Sequence, residues 1–190
     1  MNNILKILFT TFLIVVFTSK VFGSTQNPEK VIYNGQIYNM YYIFPLEIYF
    51  DKFPDKFPKK GIRSSALQRG YIATFEIKDN QLYIKDIEVD VFYDKMKNKE
   101  MTLKEGRPKN IKDIYNREWK RVSVFNDVFP NQELVKVDWF SGRLVLSYGK
   151  VVTRSFTPTF ENYIFLEIEN GNLKSEEHLT NEEYENLRKK

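Results

Sequence analysis

The chain has 190 residues, of which 42% are hydrophobic and 16% aromatic, and a formal net charge of +4. It has no cysteine and one histidine, His178, which excludes thiol catalysis and cysteine-built zinc or iron–sulfur sites and argues against an imidazole-built metal centre. The near-balance of charge gives no support for nucleic-acid binding, which draws on a strong basic excess.

Met1–Lys6 carries one positive charge, Ile7–Phe17 is an apolar run, and Val21-Phe22-Gly23 supplies small or aliphatic residues. These are the n-region, h-region and cleavage site of a secretory signal. The apolar run is shorter than the ~20 residues of a membrane-spanning helix. Cleavage after Gly23 is therefore expected, leaving an exported chain, periplasmic or extracellular, that begins at Ser24 without a transmembrane span. An uncleaved anchor is the alternative, because Lys20 lies close to the cut. No cysteine follows the segment, so an anchor through a cysteine thioether is excluded. Residues 24–190 suffice for one domain with its own core and are too few for two. An exported domain of that size does not require disulfides.

Residues 24–30 are polar, contain Pro28, and read as a flexible lead. Val31–Tyr33, Asn34-Gly35 and Gln36–Tyr42 form a hairpin signal, since Asn-Gly tolerates the positive φ values of a type I′ turn. Pro45 suits the first position of a short helix running to Phe53, with Leu46, Tyr49, Phe50 and Phe53 on one face. Pro54 ends it. The tandem Asp51-Lys52-Phe53-Pro54 and Asp55-Lys56-Phe57-Pro58 is too short for a repeat architecture and reads as a proline-punctuated excursion. Tyr38, Tyr41, Tyr42, Phe44, Tyr49, Phe50, Phe53 and Phe57 crowd this region. They form either part of the core or a stacking platform, and burial is favoured. Lys56, Lys59, Lys60, Arg63 and Arg69 follow with no acid between Lys56 and Arg69. They make either an anion-facing surface or a solvated loop.

Tyr71, Ala73, Phe75 and Ile77 alternate as a half-buried strand should. The return strand, Leu82–Phe92, has its apolar phase at Leu82 and Ile84, then at Ile87, Val89 and Val91. The slip at Lys85-Asp86 predicts a β-bulge. Residues 95–121 hold ten basic and four acidic residues and read as a solvated basic excursion with a helical turn at Ile111–Tyr115. Strands resume at Leu134–Phe140, turn at Ser141-Gly142, and continue through Leu144–Val152. Tyr163–Glu169 is an apolar strand turned by Asn170-Gly171 into Leu173. Phe75-Glu76-Ile77…Asn80-Gln81-Leu82 and Leu166-Glu167-Ile168…Gly171-Asn172-Leu173 echo one another, which shared hairpin chemistry explains more simply than duplication. Thr180 and Glu183 form a capping box for a final helix, Asn181–Arg188, with Leu179 and Tyr184 as its hydrophobic staple.

Ser65–Ile77, SALQRGYIATFEI, resembles the "STALWRGY-x-ATWEI" segment of a family of uncharacterised bacterial proteins. Asp138–Leu144 resembles that family's "DWYSG-x-L" turn, and Ile164–Gly171 its closing strand. The resemblance bears on about Tyr33 to Leu173, departs at Gln68 where the family has tryptophan, and implies grouping without an activity.

For a serine hydrolase the base would have to be His178, in the polar Glu176-Glu177-His178 beside a helix cap, and no Gly-x-Ser-x-Gly elbow exists. A solvated histidine is the better reading. Glu76, Glu88 and Asp138 are candidate carboxylates for a glycosidase, against placement on a polar strand face. Asp79-Asn80 lacks a calcium-loop ligand series and suits an ordinary turn. No phosphate-cradling glycine motif occurs. No metal or cofactor is expected.

The expected fold is mainly β: one antiparallel β-sandwich or curved-sheet domain with short peripheral helices, one at the C-terminus. The expected function is non-catalytic binding of an envelope polymer or protein partner, with an exported carboxylate-dependent hydrolase acting on a polysaccharide as the alternative. Arg69, Tyr71, Trp139 and Arg143 are the candidate ligand-binding residues. They lie at predicted strand ends and turns and are of the types that dominate binding energy. A core Trp and Tyr with arginines covering apolar rims is the plainer reading. Intact-mass measurement on protein from the native host is expected to give a chain beginning at Ser24. A full-length cytoplasmic chain would remove the basis for export.

Overall fold

The computed structural model describes residues 24–102 and 104–189; the proposed signal lies outside them. The fold is mainly β. In chain order it runs through β1 (Glu29–Tyr33), β2 (Gln36–Met40), α1 (Pro45–Lys52), β3 (Ile72–Lys78) and β4 (Gln81–Asp94). Next come β5 (Lys99–Met101), α2 (Ile111–Asn116), β6 (Arg117–Ser123), α3 (Phe125–Val128) and β7 (Val135–Lys136). It ends with β8 (Gly142–Thr153), β9 (Thr159–Glu169), β10 (Asn172–Thr180) and α4 (Asn181–Arg188).

Three hairpins have positive φ at both central residues: 50° and 74° at Asn34-Gly35, 50° and 57° at Asp79-Asn80, and 48° and 71° at Asn170-Gly171. Those values match the right-handed twist of the flanking strands. In the second hairpin Thr74 faces Asp86 while Phe75 faces Ile84. Lys85 is thus the extra residue of the bulge, and Leu82, Ile84, Ile87, Val89 and Val91 all reach one core.

The sheet order is β10-β9-β8-β2-β1-β3-β4-β5, with β6 and β7 also on β4. One pair, β1 with β3, is parallel, where antiparallel pairing was expected throughout. β2 leaves β1 to join β8, and α1 with the following loop carries the chain to the other side of β1. The path then returns on itself, because Gln81 of β4 pairs with Asn172 of β10. Leu82 N–H donates to the Gly171 carbonyl and Leu173 N–H to that of Asn80, both at 2.8 Å. A turn at residues 137–140 is wedged beside them, with Val137 N–H on the Leu82 carbonyl and Gly171 N–H on that of Phe140, both at 2.9 Å.

The enclosed core draws Val31, Met40, Phe75, Ile84, Leu146 and Leu166 from six strands, and Leu46 and Phe50 of α1 join it. Val145, Phe160, Tyr163 and Phe165 form a second cluster with Leu179 and Tyr184. β9 is therefore apolar on both faces, which its continuous apolar run reflects. The capping box of α4 is complete, and the Tyr184 ring stacks on Tyr163 at 4.0 Å between centroids.

Three local expectations change. Residues 95–121 carry β5 and, from Arg117, most of β6, whose register on β4 runs from Glu88↔Ser123 to Asp94↔Arg117. β6 borders solvent and so lacks the apolar alternation of a core strand. The strand expected over Leu134–Phe140 shortens to β7, and the tight turn falls at Asp138-Trp139 before Ser141-Gly142, closed by Phe140 N–H on the Val137 carbonyl. The lead is pinned: Asn27 N–H donates to Ala66 O at 2.7 Å and Gln26 N–H to Phe156 O at 3.1 Å.

Gly35 and Gly171 adopt the same left-handed conformation in different surroundings. A Cβ at Gly35 meets nothing within 4 Å, whereas at Gly171 it would lie 2.6 Å from the Val137 carbonyl oxygen. Gly35→Ala is expected to cost about 1 kcal/mol from backbone conformation. Gly171→Ala should cost a further ~1–3 kcal/mol from overpacking. Urea unfolding of the two variants measures the difference.

Candidate functional site

Alternation along β1 puts Glu29, Val31 and Tyr33 on one face, so a carboxylate enters the interior with its apolar neighbours. Glu29 is fully buried. Its nearest cation is Arg69, whose Nε lies 3.9 Å from Glu29 Oε1, a charge contact beyond hydrogen-bond reach. Neither Glu29 oxygen nor Arg69 Nε has a hydrogen-bond partner. Burial pushes the Glu29 carboxyl up to about 8, opposed by the Arg69 charge and reinforced by Glu47.

The segment before β1 and the loop before β3 hold Arg69 in place. Its Nη2 donates to Asn27 O at 2.9 Å, and its guanidinium lies 3.8 Å from the Phe44 ring centroid. Tyr71, 1% exposed, packs edge-on against Phe50 and Phe57 at 5.4 and 6.0 Å. Its hydroxyl is buried and unpartnered. Burial, then the Glu29 and Glu47 charges, push that phenol far above its usual range.

Above these groups lies a cleft of about 670 Å3, open to solvent. Arg69 and Tyr71 line it from below, and Glu47, Asp51, Arg63 and Gln68 edge it. Glu47 and Asp51 are one turn apart on α1, so both face the cleft. Burial raises the Glu47 carboxyl, with Arg69 opposing and Asp51 adding to the rise. The Arg63 guanidinium lies over Phe57 at 5.5 Å.

The four residues expected to share a surface divide. Arg69 and Tyr71 lie together in this cleft. Trp139 sits on the other flank of α1, with its indole N–H donating to Pro45 O at 3.0 Å and its ring 4.8 Å from Tyr49. Arg143 is on β8, bonded to Glu167 and lying over Phe165 at 4.6 Å, a residue of the second cluster. Trp139 secures the helix that edges the cleft, and Arg143 covers an apolar ring elsewhere. Glu76 is paired with Lys85 at 2.9 Å and Glu88 with Lys30 at 3.3 Å, while Asp138 is the exposed residue of the 137–140 turn. His178 is exposed, 2.6 Å from Glu176, which also accepts from the Tyr33 hydroxyl. Among the described residues no group of three or more His, Asp or Glu stands ready to hold a metal ion.

Glu29 and Glu47 escaped sequence reasoning. The period-two phase of Glu29 with Val31 and Tyr33 was the available signal for the first. For the second it was the spacing of Glu47 and Asp51 on the helix face. The chain matches no known protein family, no curated protein and no solved structure.

Glu29 ties stability to pH. Below its ordinary value of 4.5 the carboxyl is protonated in both folded and unfolded chains and imposes no penalty. Between 4.5 and about 8 the unfolded carboxyl ionises while the folded one keeps its proton, so stability falls. The slope is about 1.4 kcal/mol per pH unit for one such group, flattening above the folded value. Glu29→Gln should remove that component, so its stability gain over the parent grows from pH 5 to pH 8. Urea unfolding at several pH values checks this; parallel pH profiles would contradict it.

Proposed function

We propose that this is an exported, non-catalytic binding protein whose ligand, an envelope polymer or a protein partner, seats in the cleft beside α1. The observation that carries the reading is an open cleft lined by Arg69 and Tyr71, whose Nε and Oη are buried and unpartnered, with the equally unpartnered Glu29 carboxylate 3.9 Å from Arg69. Buried polar groups are ordinarily paired, and groups left strained by burial cluster where proteins function. The rim adds carboxylates, an amide and a guanidinium beside aromatic rings, a set suited to hydroxyl-bearing or peptide ligands. Gln68, which stands where the resembled family has tryptophan, is on that rim. The N-terminal secretory pattern supports export.

A second reading, a carboxylate-dependent hydrolase acting on a polysaccharide, is favoured by one observation. Glu47, whose carboxyl is held above its usual range, shares the cleft with Asp51, and a raised carboxyl is the property a general acid requires.

Capture from the host's envelope fraction on immobilised protein tests both. Arg63→Ala with Gln68→Ala removes two exposed side chains that line the cleft and should leave the melting temperature within a few degrees while reducing capture at least about tenfold. Arg143→Ala should capture like the parent. Equal capture by the rim variant would discard the cleft. Release of new reducing ends from envelope polysaccharide, lost in Glu47→Gln, would favour the hydrolase instead.

A further inference from the structure

Beyond the closed wall, the far half of β4 continues with β5, α2 and β6 as a ribbon without a core of its own. From Lys95 to Ser123, Gly106 alone among the described residues is buried. Met96 is 84% exposed, Tyr115 77%, Ile111 70% and Ile114 51%. Ile111, Ile114 and Tyr115 fall on one face of α2 by their spacing. Met96 lies beside the end of that helix, its N–H donating to Asn116 Oδ1 at 3.0 Å.

This apolar tip is held in place. Asp94 Oδ1, in a nearly buried residue, accepts from the N–H groups of Met96 and Lys97 and from Asn116 Nδ2 at 2.8–2.9 Å. The Asn110 side chain caps α2 by accepting from Asp113 N–H at 3.0 Å. Gly106 lies so close beneath the Phe92 ring that no side chain fits there, and Arg117 donates to the Gly106 carbonyl. The tip is therefore an ordered apolar patch that the chain leaves uncovered, the kind that marks an interaction surface.

Its surroundings say what covers it. Residues 95–121 carry seven Lys and three Arg against four acids. Lys97, Lys99, Lys104, Arg107 and Lys109, outnumbering Asp94, Glu105 and Asp113, line an open cleft of about 660 Å3 beside the tip. Lysine is depleted from protein–protein interfaces, whereas lysines ringing a small apolar face match the phosphates of an anionic bilayer. We propose that this ribbon is a membrane-docking element. It seats Met96, Ile111, Ile114 and Tyr115 at the headgroup–acyl boundary while its lysines contact anionic lipid headgroups. This surface is distinct from the cleft beside α1 and does not rest on it.

Co-sedimentation of the mature chain with phosphatidylglycerol–phosphatidylethanolamine vesicles tests the proposal. Partitioning should exceed that onto phosphatidylcholine vesicles at least about tenfold and fall with added salt. Ile111→Asp with Tyr115→Asp, both exposed and so compatible with an unchanged melting temperature, should return it to the phosphatidylcholine level. Lys56→Gln with Lys59→Gln and Lys78→Gln, an equal loss of cationic side chains to that of Lys97, Lys104 and Lys109, should retain binding where the latter set loses it. No partitioning, equal partitioning onto both vesicle types, or undiminished binding by the aspartate variant would overturn the proposal. So would a soluble protein captured through this face by a chain that ignores vesicles.

Discussion

The wall exists because two hairpin turns meet backbone to backbone. The seven-strand path from β10 to β4 closes through one paired position, Gln81 with Asn172, while β6 and β7 cover the rest of that edge of β4. Leu82, Asn80, Gly171 and Leu173 exchange the bonds of that closure, and Val137 and Phe140 brace them. Within that wall β1 lies between β2 and β3, and the phase that turns Val31 and Tyr33 to the core turns Glu29 inward with them. The burial of Glu29 follows from its place on that face.

That burial sets the terms for the surrounding chain. A carboxylate without water needs either a close cation or a proton, and at 3.9 Å Arg69 is too distant to do more than moderate the cost. The Arg69 guanidinium in turn lies between the Phe44 face and the Asn27 carbonyl, so the segment before β1 and the loop before β3 are organised around one buried polar group. The basic ribbon follows the opposite logic. It is polar-bonded at its base, apolar at its tip and almost entirely solvated, and its order comes from Asp94 and Gly106 where the wall's comes from packing.

Much of the wall is legible in the sequence because its determinants are local. The turns at Asn34-Gly35, Asp79-Asn80 and Asn170-Gly171, the phase slip at Lys85 and the Thr180–Glu183 box each act within a few residues of chain, and the structure has them where the residues indicate; the turn read at Ser141-Gly142 falls earlier, at Asp138-Trp139. β6 is not legible in that way. Arg117–Ser123 borders solvent, so its strand character comes from β4 rather than from apolar alternation, and Arg, Lys and Trp there read as loop. The parallel β1–β3 pair depends on where the chain between them travels, which no single window contains. For the site, Arg69 and Tyr71 stand out by residue type. Trp139 and Arg143 stand out equally, and only the topology separates a helix brace and a ring cover from the cleft. Glu29 was the reverse case, an ordinary-looking acid made unusual by strand phase.

The junction between the two turns has a symmetry that the wall as a whole lacks. One interval of sequence separates Asn80 from Gly171, Gln81 from Asn172 and Leu82 from Leu173. The bond from Leu82 to Gly171 becomes the bond from Leu173 to Asn80 when the two segments are exchanged. The echoing stretches Phe75–Leu82 and Leu166–Leu173 are therefore the two arms of a local pseudo-dyad, the self-complementary arrangement usually found where two identical subunits meet. The brace touches the two arms unequally, with Val137 N–H on the Leu82 carbonyl of one and the Phe140 carbonyl on Gly171 N–H of the other. Asn80 and Gly171 hold equivalent backbone conformations, yet only Gly171 has a carbonyl pressed against it. The broken symmetry thus assigns a side chain to one arm and forbids it to the other.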